Sequence, residues 1–97
     1  MNYSLHSEAD KELYGAAEFY EQQAGAALAK AFLDEFERVA ELLVKYPEFG
    51  TPADGGLRTY PFRRFPYSIV YRPTSDGIRI LVVGHQHRRP NYWRSRA

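Results

Sequence analysis

The apolar residues of this chain change their spacing once, and that change limits the fold more than any other feature of the sequence. Up to Pro47 they recur every three or four residues, which is the period of one helix face. After Gly56 they alternate with polar residues or form short runs rich in β-branched and aromatic side chains, which is typical of strands. The sequence therefore predicts an α+β protein with its helices first and its sheet second.

Two helices are predicted before the change of period. Ser7 and Asp10 have the spacing of a capping box, so the first helix is expected to begin there. Its apolar stripe comprises Ala9, Leu13, Ala16, Ala17 and Tyr20. Gly25 is the expected break, and the stripe of the second helix, which Pro47 should end, comprises Leu28, Phe32, Phe36, Val39, Leu42, Leu43 and Tyr46. A connection this short predicts an antiparallel helix hairpin.

A small antiparallel sheet is predicted after the helices. Glu48 to Gly56 is expected to be a loop, because Gly, Pro, Thr and Asp dominate it. A three-stranded meander should follow, with strands at Leu57 to Phe62, Tyr67 to Arg72 and Ile78 to His85. The third strand is apolar on both faces, with Ile78, Ile80 and Val82 expected on one face and Leu81 and Val83 on the other. That pattern predicts a central position.

The two ends of the chain complete the expected architecture. Asn2 to Leu5 could add a short strand at an edge of the sheet, and the tail from Asn91 onward is long enough for a turn or two of helix. Ninety-seven residues bury a single core, so residues 1–97 are expected to form one domain. There is no apolar run near the ~18 residues that span a bilayer, and no cysteine. We expect a cytoplasmic protein that does not associate with membranes.

Charge divides the chain into two halves. Residues 57–97 carry nine arginines, no lysine and one acid, a formal charge of +8, whereas residues 1–56 carry four basic residues and eleven acids, a charge of −7. Such asymmetry indicates a polyanionic or oppositely charged protein partner. Arginine favours phosphate or carboxylate recognition, because its planar guanidinium binds both bidentately.

The densest chemistry lies in Gly84 to Arg96, which holds two histidines, four arginines, a tyrosine and a tryptophan. Cations beside aromatic rings suit single-stranded or distorted nucleic acid, and they suit an acidic peptide equally well. A zinc site is not expected, since His85 and His87 lack further ligands and their neighbourhood is cationic.

Structural roles compete with functional ones for most of these residues. Tyr92 and Trp93 more often close a small core. Arg88 and Arg89 could pair with acids of the first helix. The three arginines around the first strand of the meander could form a solvated edge that discourages strand pairing; these are Arg58, Arg63 and Arg64.

The sequence is compatible with either a structural or a catalytic role for His85. Cleaving RNA with side chains requires a base for the 2′-hydroxyl proton, cations for the anionic phosphorus and an acid for the leaving oxygen. These roles could be filled only if the fold brings the groups to one phosphate. The candidate catalytic residues for that chemistry are His85, Arg58, Arg64, Arg88 and Tyr92.

The order of elements, with four sequence segments, resembles the RelE/ParE superfamily of toxins from bacterial type II toxin–antitoxin modules. The segments are LRTYPF at 57–62, FPYSIVYR at 65–72, IRILVVGH at 78–85 and RRPNYW at 88–93. The resemblance implies a toxin that arrests growth when free and is neutralised by a cognate antitoxin whose partly disordered segment wraps it. It also implies that operator DNA is bound only through the antitoxin. We expect no cofactor.

Two activities are known within the superfamily: RelE-like members cleave mRNA in the ribosomal A site, and ParE-like members poison DNA gyrase without an established catalytic site. Tyr92 stands where RelE-like enzymes carry a tyrosine, but no lysine follows Lys45 and Gln86 replaces an expected arginine. We therefore favour gyrase poisoning, with RelE-like cleavage as the alternative and a non-toxic antitoxin-binding module as a third hypothesis. The expected target-binding residues are Arg58, Arg63, Arg64, Arg72, Arg88, Arg89, Tyr92 and Trp93.

Overall fold

Two helices lie across one face of a five-stranded sheet in the computed structural model, which describes residues 2–86 and 95–96. The elements in chain order are β1 (Asn2–Leu5), α1 (Ser7–Ala24), α2 (Ala26–Lys45), β2 (Thr51–Ala53), a 3-10 turn (Asp54–Gly56), β3 (Leu57–Pro61), β4 (Tyr67–Thr74) and β5 (Gly77–His85). The predicted α+β architecture with an N-terminal helix hairpin is confirmed.

The helix hairpin turns at a single residue. Gly25 lies between α1 and α2 with φ 95°, a left-handed conformation that glycine adopts without a steric penalty. The predicted capping box is wrong in detail. His6, one residue earlier, is the N-cap, and its Nδ1 accepts a hydrogen bond from the Glu8 backbone N–H at 3.0 Å. Ser7 is already the first helical residue, so its hydroxyl is not in the capping position.

The sheet has the strand order β1-β5-β4-β3-β2. Neighbouring strands are antiparallel except β1 and β5, which are parallel. The α1–α2 hairpin and the meander provide the long connection that a parallel pair requires. The predicted edge strand at Asn2–Leu5 is confirmed. The predicted loop, however, contains β2, whose Thr-Pro-Ala sequence gives no strand signal and which forms by pairing with β3.

A β-bulge interrupts the predicted alternation of β5. Val70 pairs with Val82 and Tyr71 pairs with Ile80, so Leu81 is an extra residue without a partner on β4. Ile80 and Val83 therefore face the helices, while Leu81 and Val82 both belong to a smaller cluster on the other face. The prediction that Val82 shares the face of Ile80 is wrong, because a bulge shifts the alternation by one residue.

The main core lies between the helix hairpin and the sheet, and aromatic rings fill much of it. Phe32 is fully buried, and its ring centroid lies 5.1–5.5 Å from those of Tyr20, Phe62, Phe65 and Tyr67. Burial of one such ring stabilises the fold by roughly 1.5–3 kcal/mol. The predicted stripes supply the helix side of this core. Leu42 and Tyr46 are exceptions: Leu42 is half-buried outside this core, and Tyr46 is exposed and stacks on Phe49.

Neither described helix is long and apolar enough to cross a membrane. Most of the predicted tail from Asn91 onward, with Tyr92 and Trp93, lies outside the described residues, and so do Arg88 and Arg89.

Candidate functional site

The turn that joins β3 to β4 carries two of the predicted site residues. We call residues 62–65 the arginine turn; it contains Arg63 and Arg64, and both are exposed. Phe62 and Phe65 anchor its ends in the main core. Arg64 has φ 70°, a left-handed conformation that is disfavoured for a residue with a Cβ atom. Its guanidinium lies 5.5 Å from the ring centroid of Phe65, within reach of a cation–π interaction.

Glu35 on α2 ties the arginine turn to the helix hairpin. Its carboxylate accepts the Arg63 backbone N–H at 2.6 Å and two bonds of 2.8 Å from the guanidinium of Arg38. The Arg38 hydrogen bond holds the pKa of Glu35 below its ordinary value, against an opposing effect of partial burial. The carboxylate is therefore ionised at neutral pH.

An open groove of about 300 Å³ lies beside this turn. Three arginines and two acids line it together with Ala31 and Phe65; the charged residues are Asp34, Glu35, Arg38, Arg63 and Arg64. Sequence analysis missed Arg38 and Glu35. Their three-residue spacing on a helix is a common surface pattern, and only the tertiary contact with Arg63 distinguishes the pair.

Arg58 on β3 lies elsewhere and binds the protein's own backbone. Its Nη1 donates to the carbonyl oxygens of Glu48 at 3.1 Å and Gly50 at 2.8 Å. The buried Tyr71 hydroxyl holds the same loop: it donates to the Pro47 carbonyl at 2.7 Å and accepts from the Gly50 N–H at 2.9 Å. Burial raises the pKa of Tyr71. A Cβ atom on Gly50 would lie 2.5 Å from the Tyr71 hydroxyl oxygen, so glycine is required there.

Arg72 lies on the face of the sheet that points away from the helices. It follows the inward-facing Tyr71 on β4 and pairs directly with Arg79 of β5. Arg79 donates to the Ser4 hydroxyl at 3.3 Å. Like charges placed directly opposite each other on neighbouring strands are unfavourable, so this arrangement also concentrates positive charge.

His85 ends β5 on the side of the helices. It pairs with Tyr67, and the two rings make a T-shaped contact at 5.3 Å. Arg58 pairs with Tyr71, four residues further along β4, which corresponds to roughly 13 Å at the rise of a strand. His85 and Arg58 are therefore well separated along the sheet.

Gln86 follows His85 and closes the end of the sheet. Its backbone N–H donates to the Pro66 carbonyl at 2.8 Å, and its Nε2 donates to the Tyr67 carbonyl at 3.2 Å. The residue that departs from the RelE-like pattern is therefore engaged with the backbone around the start of β4.

An ion pair near the C-terminus joins Arg96 to Glu12 of α1. The two side chains form two hydrogen bonds, of 2.8 and 3.0 Å, and are only 12% and 15% exposed. Arg96 also donates to the Leu81 carbonyl at 3.0 Å, and Glu12 accepts the Val83 N–H at 3.1 Å. β1 ends at Leu5, opposite Ile80 of β5. Beyond that point, the side chains of Glu12 and Arg96 provide hydrogen-bond partners for backbone groups of β5 that β1 does not reach. Sequence analysis anticipated a pairing of this kind for Arg88 and Arg89, both outside the described residues.

Of the predicted site residues that the structure describes, only Arg63 and Arg64 are brought together in one groove. Arg58, Arg72 and His85 occupy separate positions. Whether any of the predicted residues binds a target stays a prediction.

Two comparisons with known proteins match this chain. The family model described as ParE toxin of type II toxin-antitoxin system, parDE, matches residues 3–90. A solved structure described as the chromosomal ParDE TA system from P. aeruginosa is similar to this chain with a TM-score of 0.75 and 23% sequence identity. The match covers 88% of this chain and 95% of that chain, and at this identity it establishes a shared fold. A comparison with curated proteins found no significant match.

Proposed function

Because the chain belongs to the ParE toxin family of type II toxin–antitoxin systems, we propose that it arrests bacterial growth by poisoning DNA gyrase and that a cognate antitoxin neutralises it. The proposal treats residues 1–97 as one toxin unit. It assigns no cofactor and no covalent chemistry to the toxin.

The observation that carries the choice of gyrase over mRNA cleavage is the separation of two candidate catalytic residues, His85 and Arg58. A ribonuclease that uses side chains alone needs its base and its cations at one phosphate. Here His85 pairs with Tyr67 at the start of β4 and Arg58 pairs with Tyr71 in its middle, roughly 13 Å further along the strand, and the Arg58 guanidinium is engaged by two backbone carbonyls. This arrangement favours a toxin that acts by binding.

The surface proposed to contact gyrase centres on the arginine turn. Arg63 and Arg64 are exposed, and Glu35 together with two buried phenylalanines fixes their backbone. A fixed turn loses little conformational entropy when it binds, so its contacts contribute more fully to affinity. Arg72, on the other face of the sheet, is proposed as a secondary contact.

Induction of the toxin in a bacterial host, with and without its antitoxin, tests the proposal. We expect growth arrest on induction, relief by co-expression of the antitoxin, and induction of the DNA-damage response that follows trapped gyrase. Arrest with an intact chromosome and cut transcripts by primer extension would instead support mRNA cleavage. Undiminished growth would leave only the antitoxin-binding module.

A further inference from the structure

The groove beside the arginine turn is lined by more guanidinium groups than its carboxylates bind through hydrogen bonds. Both carboxylate oxygens of Glu35 accept hydrogen bonds from the Arg38 guanidinium, and one of them also accepts the backbone N–H of Arg63. Within residues 2–86 and 95–96, neither the Arg63 nor the Arg64 guanidinium takes part in a hydrogen bond, although Arg63 is close enough to Glu35 to lower its pKa. Two guanidinium groups therefore line the groove without a hydrogen-bonded anion, and the groove as a whole carries one more positive than negative charge.

The backbone of the turn gives an independent indication of function. Arg64 occupies a left-handed conformation that glycine would adopt without strain. Strained residues that persist on a well-anchored turn are concentrated at binding sites. The strain places a guanidinium at this position, which glycine could not supply.

We propose that this groove binds one carboxylate side chain from an acidic segment of the cognate antitoxin. Arg63 and Arg64 make the contacts, and Glu35 with Arg38 is the positioning pair that fixes the turn. The antitoxin as occupant rests on the proposed function. Its acidic side chain would cover the cations proposed to meet gyrase, so binding and neutralisation would share one surface.

The surroundings of the groove favour an isolated carboxylate over a nucleic acid. Asp34 and Glu35 line the groove itself. Duplex DNA carries one phosphate charge per ~1.7 Å of its axis, so neighbouring phosphates would approach these acids. A single Asp or Glu brings only one negative charge near these acids, so it meets less repulsion than a row of phosphates.

The size and lining of the groove fit a peptide side chain. Its volume is about 300 Å³, and Ala31 and Phe65 give it apolar surface between the charged groups. The methylene carbons of a Glu side chain can pack on this surface while the carboxylate accepts bidentate hydrogen bonds from arginine.

Affinity measurements on the purified toxin and its cognate antitoxin test the inference. We expect the double substitution Arg63→Glu, Arg64→Glu to weaken antitoxin binding roughly 10- to 100-fold, as the loss of two charge-assisted contacts predicts. Arg64→Gly should weaken binding by about tenfold while retaining the fold, since its backbone conformation suits glycine. Arg79→Glu, a single arginine-to-glutamate change on the other face of the sheet, is the control and should change binding less than about threefold.

The outcomes separate the inference from the proposed function. If wild-type toxin does not bind the antitoxin, the proposed function is overturned, and the inference that the groove binds an antitoxin carboxylate is overturned with it. If wild-type toxin binds but the groove variants bind as tightly as wild type, the groove inference alone is overturned. A short DNA duplex is titrated in parallel, and groove-dependent binding of the duplex without groove-dependent binding of the antitoxin would also overturn it.

Discussion

Arg64 is the one non-glycine residue among those described whose backbone has a positive φ. The turn that contains it could be predicted from the sequence, because Phe-Arg-Arg-Phe-Pro at 62–66 separates two predicted strands. The left-handed conformation was not predictable, since arginine rarely adopts it. The contact between Glu35 and the backbone of Arg63, residues far apart in the chain, fixes the turn.

Substitution of Arg64 by glycine and by alanine gives a direct test of this strain. Both changes remove the guanidinium and its contact with Phe65, but only alanine keeps a Cβ atom in the left-handed region. We expect Arg64→Gly to be more stable than Arg64→Ala by about 1 kcal/mol, the reverse of the usual order. Urea unfolding of the two variants measures the difference, and a more stable alanine variant would contradict the assigned conformation.

The hydroxyl of Tyr71 is the second single group with a large expected effect. Tyr71→Phe removes the acceptor of the Gly50 N–H and the donor to the Pro47 carbonyl. Leaving such groups unsatisfied costs about 1–3 kcal/mol. The free energy of unfolding should fall by that amount, whereas Tyr14→Phe, at a residue 57% exposed, should change it by less than ~0.5 kcal/mol. Equal effects of the two changes would show that the hydrogen bonds of the Tyr71 hydroxyl do not stabilise this loop.

At the scale of elements, Glu35 links α2 to the arginine turn, and this link depends on pH. Since the pKa of Glu35 is lower in the folded protein than its ordinary value of 4.5, its contribution to stability is present above that value and is lost as the pH falls through the folded pKa. We expect Glu35→Gln to be less stable than wild type at pH 7 and to approach wild type under acidic conditions. Chemical unfolding across that range measures both, and a difference independent of pH would contradict the ion pair.

The edge of β5 gives a prediction about the Glu12–Arg96 pair. Glu12→Ala should destabilise the protein by about 2–4 kcal/mol, because it removes the carboxylate that binds the largely buried Arg96 guanidinium and the acceptor of the Val83 N–H. A further Arg96→Ala change should cost much less than it does in the wild-type background. Additive effects in this double-mutant cycle would show that the two side chains do not interact.

The elements also show which parts of the fold sequence could determine. The apolar stripes of α1 and α2 and the three longer strands could be predicted, because each follows from the local spacing of apolar residues in the sequence. β2 and the bulge at Leu81 do not, because pairing with β3 and β4 creates them. The same limit applies to the site. Residue types identified the arginines, but Arg38 and Glu35 acquire their roles only from tertiary contact with the arginine turn.

At the scale of the whole molecule, the acidic and basic halves of the sequence are not two separate surfaces. Glu35 of the helix half binds the arginine turn, and Glu12 of the helix half binds Arg96. Part of the opposite charge is therefore neutralised within the fold. The exposed remainder includes Arg63 and Arg64 on the arginine turn, and it is this remainder that we assign to target and antitoxin.

A gyrase assay with purified components tests the central claim most directly. Toxin at micromolar concentration is incubated with gyrase and supercoiled plasmid, and the DNA is examined after denaturation and proteolysis of the enzyme. We predict accumulation of linear, cleaved plasmid, and its disappearance when the antitoxin is added first. Unaltered supercoiling with no trapped cleavage at that concentration would contradict the assignment of gyrase as the target.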